Sequence, residues 1–233
     1  MITTAILLAA GEGSRLRAAA ASKPLCPVGG KPLIEHAIHG FAAAGLARVV
    51  VVLGYEADRI EAHLAAGTWP IAVETVRTRD YRQPNGVSVL AAEAALAGAE
   101  ALLAMCDHLV DPALYARVAL AGAGGGARLA IDRDVTSDLV DLDDVTCVRT
   151  EGEAIVAIGK HLENYDCFDT GVFAIGPGLF AALNSLESPS LTEGMRVLAA
   201  CGIARTIDCS DLAWIDVDDP AALDKAEEWL RAA

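Results

Sequence analysis

The 233-residue chain carries 18 Lys+Arg against 32 Asp+Glu, a formal charge of −14 that excludes a broad nucleic-acid-binding face or an anionic-membrane surface. At 54% hydrophobic and 21% charged residues it has the composition of a globular protein, with chain enough for one large α/β domain or two small ones. Its six cysteines (Cys26, Cys106, Cys147, Cys167, Cys201 and Cys209) contain no Cys-x-x-Cys pair. That usage predicts reduced, mostly buried thiols in a cytoplasmic protein, not a disulfide framework or a cysteine zinc site.

The chain opens with an apolar run at Ala5–Leu8 that lacks a basic flank and ends in glycine and charge, so it reads as a strand and not as a signal peptide. No apolar run approaches the roughly 18 residues of a membrane span. Val49–Leu53, Ile71–Val76, Ala101–Met105 and Leu129–Ile131 read as further buried strands. Helices are expected over Pro32–Ala44, where Ile34, Ile38 and Phe41 share a face, and over Glu56–Ala66, Val87–Ala97 and Pro112–Leu120. This β-α-β-α rhythm predicts a Rossmann-like α/β fold, a mainly parallel sheet with helices on both faces.

After about residue 130 the pattern changes. Val145–Arg149, a Glu151-Gly152-Glu153 turn and Ile155–Ile158 predict a hairpin, followed by a strand at Phe168–Ile175. Helices at Gly178–Leu186 and Leu191–Cys201 and strands at Ile203–Ile207 and Leu212–Val217 come next. A closing helix begins at Pro220 with Asp219 as its N-cap. The second half is thus expected to add antiparallel strands to the sheet of the first. Ala119–Ala127 (ALAGAGGGA) is the lowest-complexity stretch, read as a flexible connection, and the whole of 1–233 is read as one domain.

The chemistry-bearing stretch is Leu8-Ala9-Ala10-Gly11-Glu12-Gly13-Ser14-Arg15-Leu16, with Ser22-Lys23-Pro24-Leu25 and Gly29-Gly30-Lys31-Pro32 beyond it. A strand that empties into a glycine turn brings bare N–H groups up to a phosphate, and Arg15 and Lys23 supply matching charge. A P-loop would need Gly-Lys-Ser/Thr, and a dinucleotide fingerprint would need a small residue where Leu16 stands. Asp107, at the end of the Ala101–Met105 strand, is placed where open α/β sheets gather ligand groups, and its oxygens suit Mg²⁺. His108 is left between a supporting and a packing role. Asp216, Asp218 and Asp219 follow another apolar strand and are divided between metal binding and helix capping. Lys160, after the Ile155–Ile158 strand, is a candidate phosphate cation.

The Leu-Ala-Ala-Gly-x-Gly-Ser-Arg-Leu and Lys-Pro-Leu runs resemble the nucleotidyltransferase superfamily that makes sugar nucleotides. Asn85-Gly86-Val87-Ser88, Asp107-His108, Asp143-Asp144-Val145-Thr146-Cys147-Val148, Ile158-Gly159-Lys160 and Tyr165-Asp166-Cys167-Phe168-Asp169-Thr170-Gly171 follow in one order. Together they resemble the CTP:inositol-1-phosphate cytidylyltransferases over essentially the whole chain. The resemblance implies a GT-A type nucleotidyltransferase domain in which Leu8, Ala9, Ala10, Gly11, Gly13 and Ser14 hold base and phosphates, with Arg15 and Lys23 on the triphosphate. It implies that Asn85, Gly86 and Ser88 border the cytosine, that Lys160 binds the acceptor phosphate, and that Asp169 and Thr170 meet the acceptor ring. Asp216 matches the family's Trp-x-Asp metal residue, with Asp107 as its partner on Mg²⁺ and Asp218 in reserve.

The implied substrates are CTP and a phosphorylated polyol, with Arg15, Lys23, Asp107 and Lys160 as the catalytic set and CDP-inositol and pyrophosphate as products. No nucleic-acid partner is expected. A membrane-embedded CDP-alcohol phosphotransferase domain, carried by some relatives, is expected to come from another polypeptide, and a homo-oligomer stays open. Cys106 departs from the Gly or Ala common before Asp-His, which bears on the pocket floor. The rival readings are a sugar-1-phosphate uridylyltransferase, a phosphocholine cytidylyltransferase and a silent nucleotide-binding regulatory subunit. Choline is disfavoured because an aromatic cage is not apparent among 5% aromatic residues.

Overall fold

The computed structural model describes residues 1–16, 20–137 and 140–232. Strand β1 (Thr4–Ala9) leads to a two-residue hairpin, β2 (Pro27–Val28) and β3 (Lys31–Pro32), then to α1 (Leu33–Ala43) and β4 (Arg48–Leu53). Next come α2 (Ala57–Ala66), β5 (Ala72–Arg77), α3 (Gly86–Ala91), α4 (Glu93–Leu96), β6 (Ala101–Met105), β7 (His108–Val110), α5 (Pro112–Ala121) and β8 (Ala127–Asp132). The second half comprises β9 (Cys147–Glu151), β10 (Ala154–Gly159), β11 (Cys167–Ile175), α6 (Pro177–Asn184), α7 (Leu191–Ala200), β12 (Ala204–Asp208), β13 (Trp214–Asp216) and α8 (Pro220–Ala232).

One nine-stranded sheet runs in the order β5-β4-β1-β6-β11-β8-β12-β10-β9. β5, β4, β1 and β6 are parallel, and β11 enters antiparallel between β6 and β8. This is the Rossmann-like α/β arrangement with antiparallel additions that the sequence pattern predicts. Successive residues on the central strands point to opposite faces and feed two cores. Leu7, Val49, Val51 and Leu53 pack with Phe41 and Tyr115 on one side, whereas Ile6, Val50, Val52 and Leu103 pack with Phe173 and Leu183 on the other. Burial on both faces explains why these strands read as unbroken apolar runs.

From β1 the chain steps outward to β4 and β5, then returns to lay β6 against the opposite edge of β1. The strand order therefore reverses between β1 and β6, and a crevice opens at their carboxyl ends. Leu8 lies opposite Met105 there, and the Cys106 N–H donates to the Leu8 carbonyl at 3.1 Å. A third, smaller core of Leu16, Val28, Leu33, Leu109, Ile215, Val217 and Ala226 sits behind this crevice and ties α8 to the glycine-rich turn. Asp219 caps α8 as expected, its Oδ1 accepting from the Ala222 N–H at 2.8 Å.

Several boundaries differ from the sequence reading. The Val87–Ala97 helix is two pieces, α3 and α4, ending at Ala97 in the left-handed region (φ 49°). The hairpin starts at Cys147 because the Val145 N–H is taken by the Asp141 carbonyl at 2.9 Å, which keeps it in a turn. The expected Leu212–Val217 strand narrows to Trp214–Asp216 and pairs with β7, a strand too short to leave a periodic signal. Ala119–Ala127 is a tied connection, not a loose one. Glu100 accepts from the Ala123 N–H at 3.0 Å and the Gly125 N–H at 3.2 Å, while the Gly125 and Gly126 carbonyls accept from Gly178 and Gly176. Among the described residues no helix is long and apolar enough to cross a membrane.

Candidate active site

Two adjoining cavities open at the switch point. The smaller, about 270 Å³, is lined by Leu8, Ala9, Gly11, Gly13, Ser14, Arg15, Lys23, Cys106 and Asp107 among others. Gly13 adopts φ +55°, and a Cβ there would stand 2.4 Å from the Cβ of Lys23. The missing side chain is thus what lets the Lys23 stem pass under the turn, leaving that lysine only 7% exposed with its ammonium turned inward. Lys23 Nζ donates to Asp107 Oδ2 at 2.7 Å, pairs with Asp218, and lies 3.9 Å from Asp216 Oδ1. Arg15, half exposed, pairs with Asp144 and Asp218. Ala10 is buried, its carbonyl taken by the Tyr55 N–H at 3.0 Å, and it does not line this cavity.

Asp107 and Asp216 meet although they are far apart in sequence, because β7 and β13 pair antiparallel with Asp216 opposite His108. The Val217 N–H donates to the Asp107 carbonyl at 2.9 Å and fixes the same junction. His108 lies between the carboxylates, Nε2 standing 3.8 Å from Asp107 Oδ1 and 3.6 Å from Asp216 Oδ2. One ligand atom from each of Asp107, His108 and Asp216 falls within 4.8 Å of the others, a spacing that can hold a metal ion. Burial works against the Asp107 charge, but Lys23 and His108 outweigh it and hold the carboxyl below its usual range. Burial likewise opposes the imidazolium, yet Asp216 and Asp107 push His108 up to about 9. Asp216 Oδ1 is buried with no hydrogen-bond partner and has Lys23 Nζ 3.9 Å away, while Oδ2 is the oxygen that faces His108.

The larger cavity, about 630 Å³, shares Asp107 and Asp218 with the smaller and reaches Lys160, Asp169, Asn85 and Trp214. Lys160 and Arg15 are both held by Asp144, whose carboxyl they drive down to about 2. Asp169 accepts from the Gly171 N–H at 2.7 Å, and burial pushes its carboxyl up to about 6. Thr170 faces the other way. It is fully buried, its hydroxyl donates to the Ala130 carbonyl at 2.9 Å, and its own carbonyl accepts from His108 Nδ1 at 2.8 Å. Asn85 lines the cavity while its Oδ1 accepts from the Leu191 N–H at 2.8 Å, pinning the start of α7. Gly86 packs against Pro189 and Leu183, and Ser88 is buried; neither lines either cavity.

Three residues matter more here than their sequence context signals. Asp144 bridges a turn cation to the hairpin cation, and Asp218 bridges Arg15 to Lys23. Trp214 stacks on His108 (ring centroids 5.8 Å apart, 18° between planes) and donates from Nε1 to buried Asp132 at 2.9 Å. Asp144 stands in the Asp143–Val148 motif and Asp218 in reserve for the metal, but neither placement signals these bridging ion pairs.

A MobA-like NTP transferase domain model matches residues 5–191. The chain is 35% identical to the "Bifunctional IPC transferase and DIPP synthase" of Rubrobacter xylanophilus over 97% of its own length and 51% of that protein. It thus spans about half the length of the curated relatives it matches. The inositol-1-phosphate CTP transferase from T. maritima superposes with TM-score 0.89 at 23% identity, covering 99% of this chain and 95% of that one. A UDP-glucose pyrophosphorylase complexed with UDP-glucose superposes with TM-score 0.82 at 18% identity, over 100% and 99% of the two chains. These likenesses extend the shared fold over the whole sheet, and the family model covers the glycine-rich turn, Asp107 and Lys160. The chain belongs to the MobA-like NTP transferase domain family.

Proposed function

We propose that the chain, acting throughout 1–233 as one nucleotidyltransferase domain, transfers the cytidylyl group of CTP to inositol 1-phosphate and releases CDP-inositol and pyrophosphate. The observation that carries this reading is the pair of cavities joined at Asp107 and Asp218. One offers a glycine turn with two cations, and the other a lysine with the carboxylates of Asp141, Asp144 and Asp169. A triphosphate and a phosphorylated polyol have those complementary features. The choice of CTP and inositol 1-phosphate rests on the motif series and on kinship with the Rubrobacter protein. Trp214 and Phe173 are the only aromatics among the described residues lining the larger cavity, which is no cage for choline.

In this reading Gly11, Gly13 and Ser14 border the triphosphate and Arg15 and Lys23 offset its charge. Lys160 draws in the acceptor phosphate and Asp169 meets its hydroxyls. An ionised phosphate oxygen of the acceptor forms the new P–O bond at the α-phosphorus in line, and the bond to the β-phosphate oxygen breaks as pyrophosphate leaves. That oxygen is already ionised near neutral pH, so no protein base is required. Arg15 and Lys160 must exchange Asp144 for phosphate oxygens as the substrates enter. Asp107 and Asp216 fit Mg²⁺, since they bring hard carboxylate oxygens within 4.8 Å of one another at the mouth of the cation-lined turn. When bound, the ion supplies charge neutralisation across the phosphates. Five buried free thiols fit a reducing cytoplasmic setting.

The test is pyrophosphate release from four nucleoside triphosphates against inositol-, hexose-, glycerol- and choline-phosphates, with Mg²⁺. CTP with inositol 1-phosphate should be fastest. Faster release with UTP and a hexose 1-phosphate would replace the substrate assignment, and no release with any pair would remove the enzymatic one.

A further inference from the structure

His108 is held far more tightly than a packing residue at a strand start needs to be. Its Nδ1 donates to the Thr170 carbonyl at 2.8 Å, which turns Nε2 toward Asp107 and Asp216, where a metal ion would take the place of the Nε2 proton. The ring is stacked on Trp214, whose own N–H is anchored by buried Asp132. Gly171 takes φ +76°, and a Cβ there would come within 2.4 Å of His108 Nδ1. A backbone carbonyl, an indole and a side-chain-free position thus aim one nitrogen at the junction of two carboxylates. Metal-bound histidines characteristically donate their second nitrogen to a carbonyl or carboxylate in this way.

We infer that His108 is a third, nitrogen ligand to the metal that Asp107 and Asp216 bind, making this an oxygen–nitrogen site that favours Mn²⁺ or Co²⁺ relative to a two-carboxylate site. The inference rests on the metal reading of Asp107 and Asp216 given above. Neighbouring ligands on an octahedral ion with bonds of roughly 2.1 Å lie about 3 Å apart. The His108–Asp107 and His108–Asp216 separations of 3.8 Å and 3.6 Å exceed that by about 0.8 and 0.6 Å. Lys23 approaches the other oxygen of each carboxylate, Asp107 Oδ2 and Asp216 Oδ1, so ammonium and ion address different edges. An imidazole donor raises affinity along the Mn²⁺-to-Cu²⁺ series more than it does for Mg²⁺.

The experiment is pulsed EPR of the full chain with Mn²⁺ and CTP, the protein carrying [¹⁵N]histidine so that cytosine nitrogens do not interfere. His108 is the only histidine lining either cavity among the described residues. Bound Mn²⁺ should show ¹⁵N coupling that disappears in His108→Gln, with Mn²⁺ affinity falling on the order of tenfold or more and Mg²⁺ affinity falling less. The labelled wild-type spectrum reads the ligand even if the variant folds poorly. Mn²⁺ that binds through Asp216 but shows no ¹⁵N coupling overturns the nitrogen ligand and leaves the carboxylate site standing. Mn²⁺ affinity unchanged in Asp107→Asn combined with Asp216→Asn overturns both.

Discussion

Gly13→Ala should abolish most activity while leaving the fold nearly intact. Two separate costs act at this position. An alanine at φ +55° pays the left-handed penalty of about 1–2 kcal/mol, a Tm loss of roughly 2–8 °C for a chain of this size. Its Cβ would also stand 2.4 Å from Lys23 Cβ and 2.8 Å from Lys23 Cδ, against roughly 3.5–4 Å for ordinary carbon contact. The lysine stem must therefore shift by about 1 Å or more, carrying its ammonium off Asp107 and the triphosphate site. A displacement of that size can cost ~10²-fold in rate. Gly30→Ala is the control, because Gly30 has φ +77° with nothing within 4 Å of its would-be Cβ. Both variants should lose similar Tm in thermal denaturation, and only Gly13→Ala should lose pyrophosphate release with CTP, Mg²⁺ and inositol 1-phosphate. Equal activity in the two would refute the idea that the bare Cα exists to admit Lys23.

The remaining predictions separate the parts of the site. Asp107→Asn should lower turnover by ~10²-fold or more in the same assay, the scale of losing one preorganised charged group. Lys160→Ala should raise KM for the acceptor while KM for CTP stays within about twofold, and a change confined to CTP would place this lysine at the wrong end. Asp169→Asn should raise stability above pH 6, because burial lifts the native carboxyl to about 6 from an ordinary 3.8. The native state therefore holds its proton longer than the unfolded chain, so wild-type stability falls as pH rises from about 4 to 6, by on the order of 1–3 kcal/mol. The variant's advantage in urea melts without added metal should vanish below pH 4. Trp214→Phe strips the Asp132 carboxylate of a buried donor and should lower Tm by roughly 4–8 °C, for a loss of about 2 kcal/mol.

The central elements were legible because their signals are local. Strands buried on both faces write themselves as apolar runs, and Asp219-Pro220 announces a capped helix within two residues. The glycine turn, Arg15 and Lys23 likewise stand close together in the chain. What escaped was relational. Asp144 reaches Arg15 across 129 positions and Asp218 reaches Lys23 across 195, so no spacing rule connects them. β7 is three residues long and forms a two-stranded sheet with β13, so it escaped although the sequence predicts a strand over β13. Thr170 sits beside Asp169 on one strand, and strand alternation turns its side chain to the interior while the Asp169 carboxylate reaches the cavity. The sequence order alone assigns both to the acceptor.

A chain with a net charge of −14 that recruits polyanions needs an account of its field. The cations of the site stand within a ring of carboxylates: Lys23 against Asp107 and Asp218, Arg15 against Asp218 and Asp144, and Lys160 against Asp144. Those acids hold the lysines and the arginine in place and largely neutralise them. On the proposed reading, phosphate oxygens entering the crevice would take the places of these carboxylates, an exchange of partners and not an addition of charge. The displaced carboxylates remain a few ångströms away, where their repulsion of the substrates must be cancelled. In the same reading a divalent ion held by Asp107 and Asp216 would supply that cancellation, which would make metal and nucleotide binding mutually dependent. Tight CTP binding without a divalent ion, measured by calorimetry, would contradict this exchange.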